Sequence, residues 1–163
     1  MLSPFSNNDH QLSVGPVAFY PERNIFEKLQ SLDFMSLIVC GAGAIATDQG
    51  FMCNGANLAF RKNIYTDLNL DEASGDDVFL LHYIKRLGKK IKFIKNMDSI
   101  VYTDPAKDFQ SFYNQRKRWA AKSSAYKDKD AIRISWLVFV TNLLLIFLLF
   151  SGTVYQICIG FVI

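Results

Sequence analysis

The last 30 residues, Ile134 to Ile163, contain no Lys, Arg, Asp, Glu or His. No other feature constrains the chain as strongly. All 18 basic and 15 acidic side chains therefore lie in residues 1–133. Thirty helical residues rise about 45 Å against a hydrocarbon core of about 30 Å, so one tilted span fits. The span is expected to begin near Trp136, with Trp136 and Tyr155 at the two interfaces. Ser151, Gly152 and Thr153 mark either a bend or the start of a turn toward a second span. The competing reading is a buried core helix, but 22 apolar residues in the run favour the membrane. A signal peptide is excluded, because the run is C-terminal and nothing similar begins the chain. The chain stops at Ile163 while still apolar, which points to a truncation.

A length of 163 residues suits one ordinary domain. A hydrophobic content of 50% excludes a fully soluble protein as the leading reading, and 14% aromatic residues exclude a disordered chain. Cys40, Cys53 and Cys158 are odd in number and lack C-x-x-C spacing, and His10 and His82 are far apart. Neither a disulfide framework nor a zinc site is supported. The net charge of +3 hides strong segregation. Asp67, Asp71, Glu72, Asp76 and Asp77 form an acidic stretch, followed by a basic one from Lys85 to Lys95 and another from Arg116 to Arg133. The second precedes the apolar run and sets residues 1–133 on the cytoplasmic side by the positive-inside rule.

The expected fold class is α/β. Leu12 to Tyr20 suits a strand ending at Pro21. Ile25, Leu29, Leu32 and Met35 or Ser36 recur at helical spacing, predicting an amphipathic helix to about Val39. Cys40 to Ala44 is a small-residue stretch that allows close packing or a loop, and it lacks the Lys-Ser/Thr ending of a phosphate-binding loop. Phe51 to Arg61 reads as strand–turn–strand about Asn54-Gly55. Ser74 is a good N-cap for a second helix that Gly88 closes. Short strands are expected at Ile91–Lys95 and Ser99–Tyr102, and a third helix from about Lys107 to Tyr126.

Three segments could carry chemistry. In Ser74-Gly75-Asp76-Asp77 an acid at the third helical position completes a capping box, or it sits at a helix start facing a cleft and takes a proton from a hydroxyl. Gln115, Arg118 and Trp119 fall on one helical face, where an amide, a guanidinium and an indole suit a hydroxyl, a phosphate and a sugar ring. The same face equally suits a helix lying against lipid headgroups. Cys53 to Arg61 is a turn whose Asn and Gly supply geometry.

In this order, and followed by a membrane span, "CNGANLAFRK", "SGDDVFLL" and "QRKRW" resemble the C-terminal half of a membrane-bound family-2 glycosyltransferase. That group contains cellulose- and hyaluronan-synthase-like polysaccharide synthases with a GT-A-type nucleotide-sugar-binding domain. The resemblance implies a partial GT-A-type catalytic domain over residues 1–103, an interfacial helix bearing QxxRW over 104–133, and a transmembrane segment over 134–163. It makes Asp77 the general base that deprotonates the acceptor hydroxyl, which attacks the anomeric carbon of a nucleotide-sugar with inversion. Asp76 stands where the family often has Glu. Gln115, Arg118 and Trp119 would close the donor and acceptor site, with Arg118 on the diphosphate and Trp119 facing the acceptor sugar. Asn54, Gly55 and Asn57 would line the acceptor side.

The family's first half supplies nucleotide-binding strands and a D-x-D motif that holds a divalent Mg or Mn ion, and nothing before Leu12 matches it. Asp128-Lys129-Asp130 spells D-x-D, but it follows QxxRW in a basic juxtamembrane segment and reads as a solvated charge pair. The chain alone is therefore expected to be inactive. Its expected partners are a nucleotide-sugar donor, a saccharide or lipid acceptor, membrane lipid and a separate chain carrying the missing half. The alternative is a non-catalytic, membrane-anchored interaction module. Nucleic-acid binding, which the basic stretches also suggest, is set aside because anionic lipid explains the second stretch better.

Overall fold

The computed structural model describes residues 10–62, 64, 77–123 and 126–160. The chain divides into two compact units, Met1–Asp128 and Lys129–Ile163. The first is a mixed α/β unit. Strand β1 (His10–Val14) sits between β3 (Leu58–Phe60), to which it is antiparallel, and β4 (Lys90–Phe93), to which it is parallel. Strands β2 (Val17–Phe19) and β5 (Val101–Thr103) form a separate parallel pair.

The expected single strand from Leu12 to Tyr20 is thus two strands. Pro16 has no N–H to continue the ladder. Gly15 instead donates its N–H to the Asn57 carbonyl at 2.8 Å, and a Cβ at Gly15 would overlap the Asn57 amide. The chain therefore leaves one sheet and enters the other at the Gly15-Pro16 step. Phe51 to Arg61 also differs from the expected hairpin. A 3-10 turn over Gly55–Asn57 leads directly into β3, with no strand before Asn54.

Helix α1 (Ile25–Ala46) begins at Asn24, whose side chain accepts the Glu27 N–H at 2.9 Å. It continues past Val39 through Cys40–Ala44, so that stretch is helix, not loop. Close packing does hold there: a Cβ on Gly41 would lie 3.2 Å from Met52 Cγ. The buried face is the reverse of the one expected. Glu27, Gln30 and Phe34 point inward, while Ile25, Leu29, Leu32, Met35 and Val39 are exposed. Gln30 fixes this rotation by donating to the Ala106 carbonyl at 2.9 Å and accepting the Ala106 N–H at 3.1 Å. Burial of a polar side chain is tolerable because both ends of its amide are paired.

Helix α2 (Asp77–Arg86) buries Val78, Leu80, Leu81 and Ile84. Leu81 and Ile84 join Leu12, Val14, Ile45 and Ile64 in the principal core. Gly88 ends it as expected, with φ of 64° and its N–H on the Lys85 carbonyl. Helix α3 (Phe109–Ser123) lies within the span expected from Lys107 to Tyr126 and stops short of its end. Asp108 caps it, accepting the Ser111 N–H at 2.8 Å and the Ser111 hydroxyl at 3.0 Å.

The second unit is helix α4 (Lys129–Gly160), in which every residue from Trp136 to Phe150 is exposed. Among the described residues, two helices are long and apolar enough to cross a membrane, α1 and the Lys129–Gly152 part of α4. They differ in setting: α1 buries five residues against its own unit, including Glu27 and Gln30.

Candidate functional site

The structure brings together two of the three segments singled out in the sequence. Asp77 is the first residue of α2, and its Oδ2 accepts the Gly55 N–H from the 3-10 turn. Its Oδ1 accepts the Val78 N–H at 3.1 Å, and its own carbonyl accepts the Cys53 thiol at 3.2 Å. The positive end of α2 and the Gly55 N–H thus both favour the ionised carboxylate. The approach is close: a Cβ on residue 55 would lie 3.2 Å from Asp77 Oδ2 and 3.3 Å from Asp77 Cβ, so either the turn or the acid would have to give by a few tenths of an ångström. Asp76 and Ser74 lie outside the described residues.

The turn itself is built by its two asparagines. Asn54 accepts the Ala56 N–H at 2.9 Å. Asn57 is buried, and its Nδ2 donates to the carbonyls of Pro16 and Ser99, each at 2.7 Å. This one amide therefore ties the turn to the crossover between the two sheets. His82 on α2 bonds the Phe51 carbonyl at 2.9 Å and holds the segment leading into the turn from its other side.

The QxxRW residues sit on α3, against α1. The Trp119 ring packs on Phe34 with centroids 6.4 Å apart, beside the small core of Val17, Phe19 and Phe34. Gln115 is half-buried and its Oε1 has no hydrogen-bond partner among the described residues, while Arg118 is exposed. Among the described contacts, no hydrogen bond or ring pair joins Trp119 to Asp77. The two clusters share one unit, and Tyr126, just beyond α3, stacks edge-on with Phe79 and His82 of α2 at 5.4 and 5.3 Å.

Arg116 was not among the expected site residues, yet it organises this helix. Its guanidinium lies 4.7 Å from the Trp119 ring centroid and 4.8 Å from that of Phe112, and it pairs with Asp33 of α1. The signal was present: Arg116 precedes Trp119 by three residues and follows Phe112 by four, the spacings at which helical side chains meet.

Among the described residues, no group of three or more His, Cys, Asp or Glu side chains could hold a metal ion. In the D-x-D stretch, Asp128 pairs with Lys85 at 3.0 Å and Asp130 with Arg133 at 3.5 Å.

No protein of curated function matches the chain. A family model does, and it takes in the Asp77 cluster, the QxxRW helix and the apolar helix in one alignment over residues 2–163. On that match, which spans nearly its whole length, the chain belongs to glycosyl transferase family group 2.

Proposed function

We propose that this chain carries the acceptor-side portion of an inverting, GT-A-type glycosyl transfer of the cellulose- and hyaluronan-synthase-like kind. The observation that carries the proposal is the Asp77 carboxylate, anchored at the start of α2 by the Gly55 N–H. A carboxylate has roughly four lone-pair sites, so it can keep backbone partners and still accept a hydroxyl proton.

The acceptor O–H gives its proton to Asp77 as the oxygen bonds to the anomeric carbon of a nucleotide-sugar. The bond from that carbon to the diphosphate oxygen breaks on the opposite face, and the nucleoside diphosphate leaves with the electron pair. Asn54 and Gly55 line the acceptor side, Asp76 precedes the base in sequence and joins it in binding substrate, and Asn57 holds the turn in register. Exposed Arg118 receives the diphosphate, and Gln115 and Trp119 set the helix that bears it. The divalent ion and the donor-binding strands come from a portion that bears the D-x-D motif, either joined to this chain or carried by a separate one. Helix α4 spans the cytoplasmic membrane, with the catalytic unit on the cytoplasmic side and its lysine- and arginine-rich approach on anionic lipid.

Transfer of labelled sugar tests this reading. The chain combined with its donor-binding portion is expected to convert an α-linked donor into a β-linked product, and the 163-residue chain alone is expected to convert none. Turnover by the chain alone would contradict the assignment of the donor site elsewhere. Retention of configuration would contradict Asp77 as base. No transfer by the combination would leave a membrane-anchored interaction module.

A further inference from the structure

The basic stretch from Lys85 to Lys95 has no part in the chemistry above, yet the fold gathers it into one place. The end of α2, the tight turn at Gly88 and the edge strand β4 wrap a cleft of about 570 Å³, with the end of α1 as its other wall. Lys85, Lys89, Lys90, Lys92, Lys95 and His10 all line it, and Asp48 is the one acid that does among the described residues. Lys85 is paired with Asp128. Lys89, Lys92 and Lys95 are exposed and make no ion pair among the described residues. The Nδ1 of His10 is buried there without a hydrogen-bond partner among those residues. Ile45, Ile91 and Phe93 give the cleft an apolar floor.

Separate structural reasons exist for single lysines. Cations suit the negative end of α2, and lysine on an edge strand discourages pairing with another chain. Neither reason calls for convergence on one concavity. Like charges held close in a cleft repel one another and focus a positive potential, which an anion relieves. A cleft of this size also suits a ligand rather than a lone ion. We propose that this cleft binds a phosphate-bearing ligand, its phosphate oxygens met by Lys89, Lys92 and Lys95 and its apolar part resting on Ile91 and Phe93. The site is independent of Asp77 and of the donor diphosphate.

The test measures binding by the full chain in phosphatidylcholine nanodiscs, using inorganic pyrophosphate as one probe and added phosphatidylglycerol as the other. Saturable binding of at least one probe is expected, weakened about tenfold or more when Lys89, Lys92 and Lys95 are all changed to Gln, since three modest ionic contacts are lost. Pyrophosphate alone would identify a soluble phosphate ester, and phosphatidylglycerol alone a lipid headgroup. A control with Arg23→Gln, Lys28→Gln and Lys62→Gln removes the same charge from exposed positions outside both the cleft and the juxtamembrane approach, and should bind as the parent does. The proposal is overturned if neither probe binds, if the cleft variant binds unchanged with its circular dichroism intact, or if the control weakens equally.

Discussion

The Asp77 carboxylate accepts the backbone N–H of Gly55, across 22 residues of sequence. This bond makes one site of two segments that are separately unremarkable, a helix start and a tight turn. It also makes the turn a determinant of where the carboxylate sits. Gly55→Ala places a methyl 3.2 Å from Oδ2 and must displace either the turn or the acid. We expect sugar transfer by the chain with its donor-binding portion to fall about tenfold to a hundredfold, with the acceptor KM and kcat both altered and donor affinity retained. Steady-state kinetics at varied acceptor concentration checks this.

Asn57→Ala removes the amide that bridges Pro16 and Ser99. A partly buried carbonyl left unpaired costs up to about 1–3 kcal/mol, and the Asn57 amide is the partner of the Ser99 carbonyl. The urea midpoint of the first unit is expected to drop accordingly. Gln at this position should not rescue it, because the longer side chain would have to enter the space that Gly15 leaves for Asn57.

Arg116 links α3 to α1 through Asp33 while lying over two rings of its own helix. Its partner Asp33 is half-exposed, so the ion pair itself contributes about 0.2–1 kcal/mol, and the ring contacts add about 0.5–1 kcal/mol. Arg116→Met should therefore cost more than Asp33→Asn. A double-mutant cycle between the two positions is expected to show coupling at the lower end of these values.

Much of the core was legible in the sequence, because alternation and capping act locally. The end of α2 at the Gly88 stop and the two strands that follow it rest on neighbours within a few residues. The rotation of α1 was not legible. Its apolar positions predict an inward stripe of Ile25, Leu29 and Leu32, but the inward face is set by Gln30 reaching the backbone of Ala106. That pairing spans 76 residues and leaves no periodic trace. The hairpin failed for the same reason. Asn54-Gly55 is a strong turn signal, yet Asp77 and Asn57 use the turn to join distant segments, not to reverse a strand. The three candidate segments were recognisable as types of residue, whereas the contact between Asp77 and Gly55 was visible only in three dimensions.

Asp108 gives a pH-dependent check on α3. The Ser111 N–H, then the Ser111 hydroxyl, donate to its carboxylate and lower its pKa from the usual 3.8. The folded pKa is depressed, so its contribution is complete above about 3.8 and is lost as pH falls through the lower folded value. The Ser111 amide resonance is expected to titrate with that lowered midpoint. Asp108→Ala should abolish the titration and fray the first turn of α3.

The most direct test of the account is Asp77→Asn in the chain combined with its donor-binding portion. Asparagine keeps an oxygen for the Gly55 N–H but cannot act as the base. Transfer of labelled sugar should fall about a hundredfold to ten-thousandfold, the range for losing a general base, while nucleotide-sugar binding stays within about twofold of the parent. Unchanged transfer would contradict the account and leave Asp77 as the cap of α2 alone.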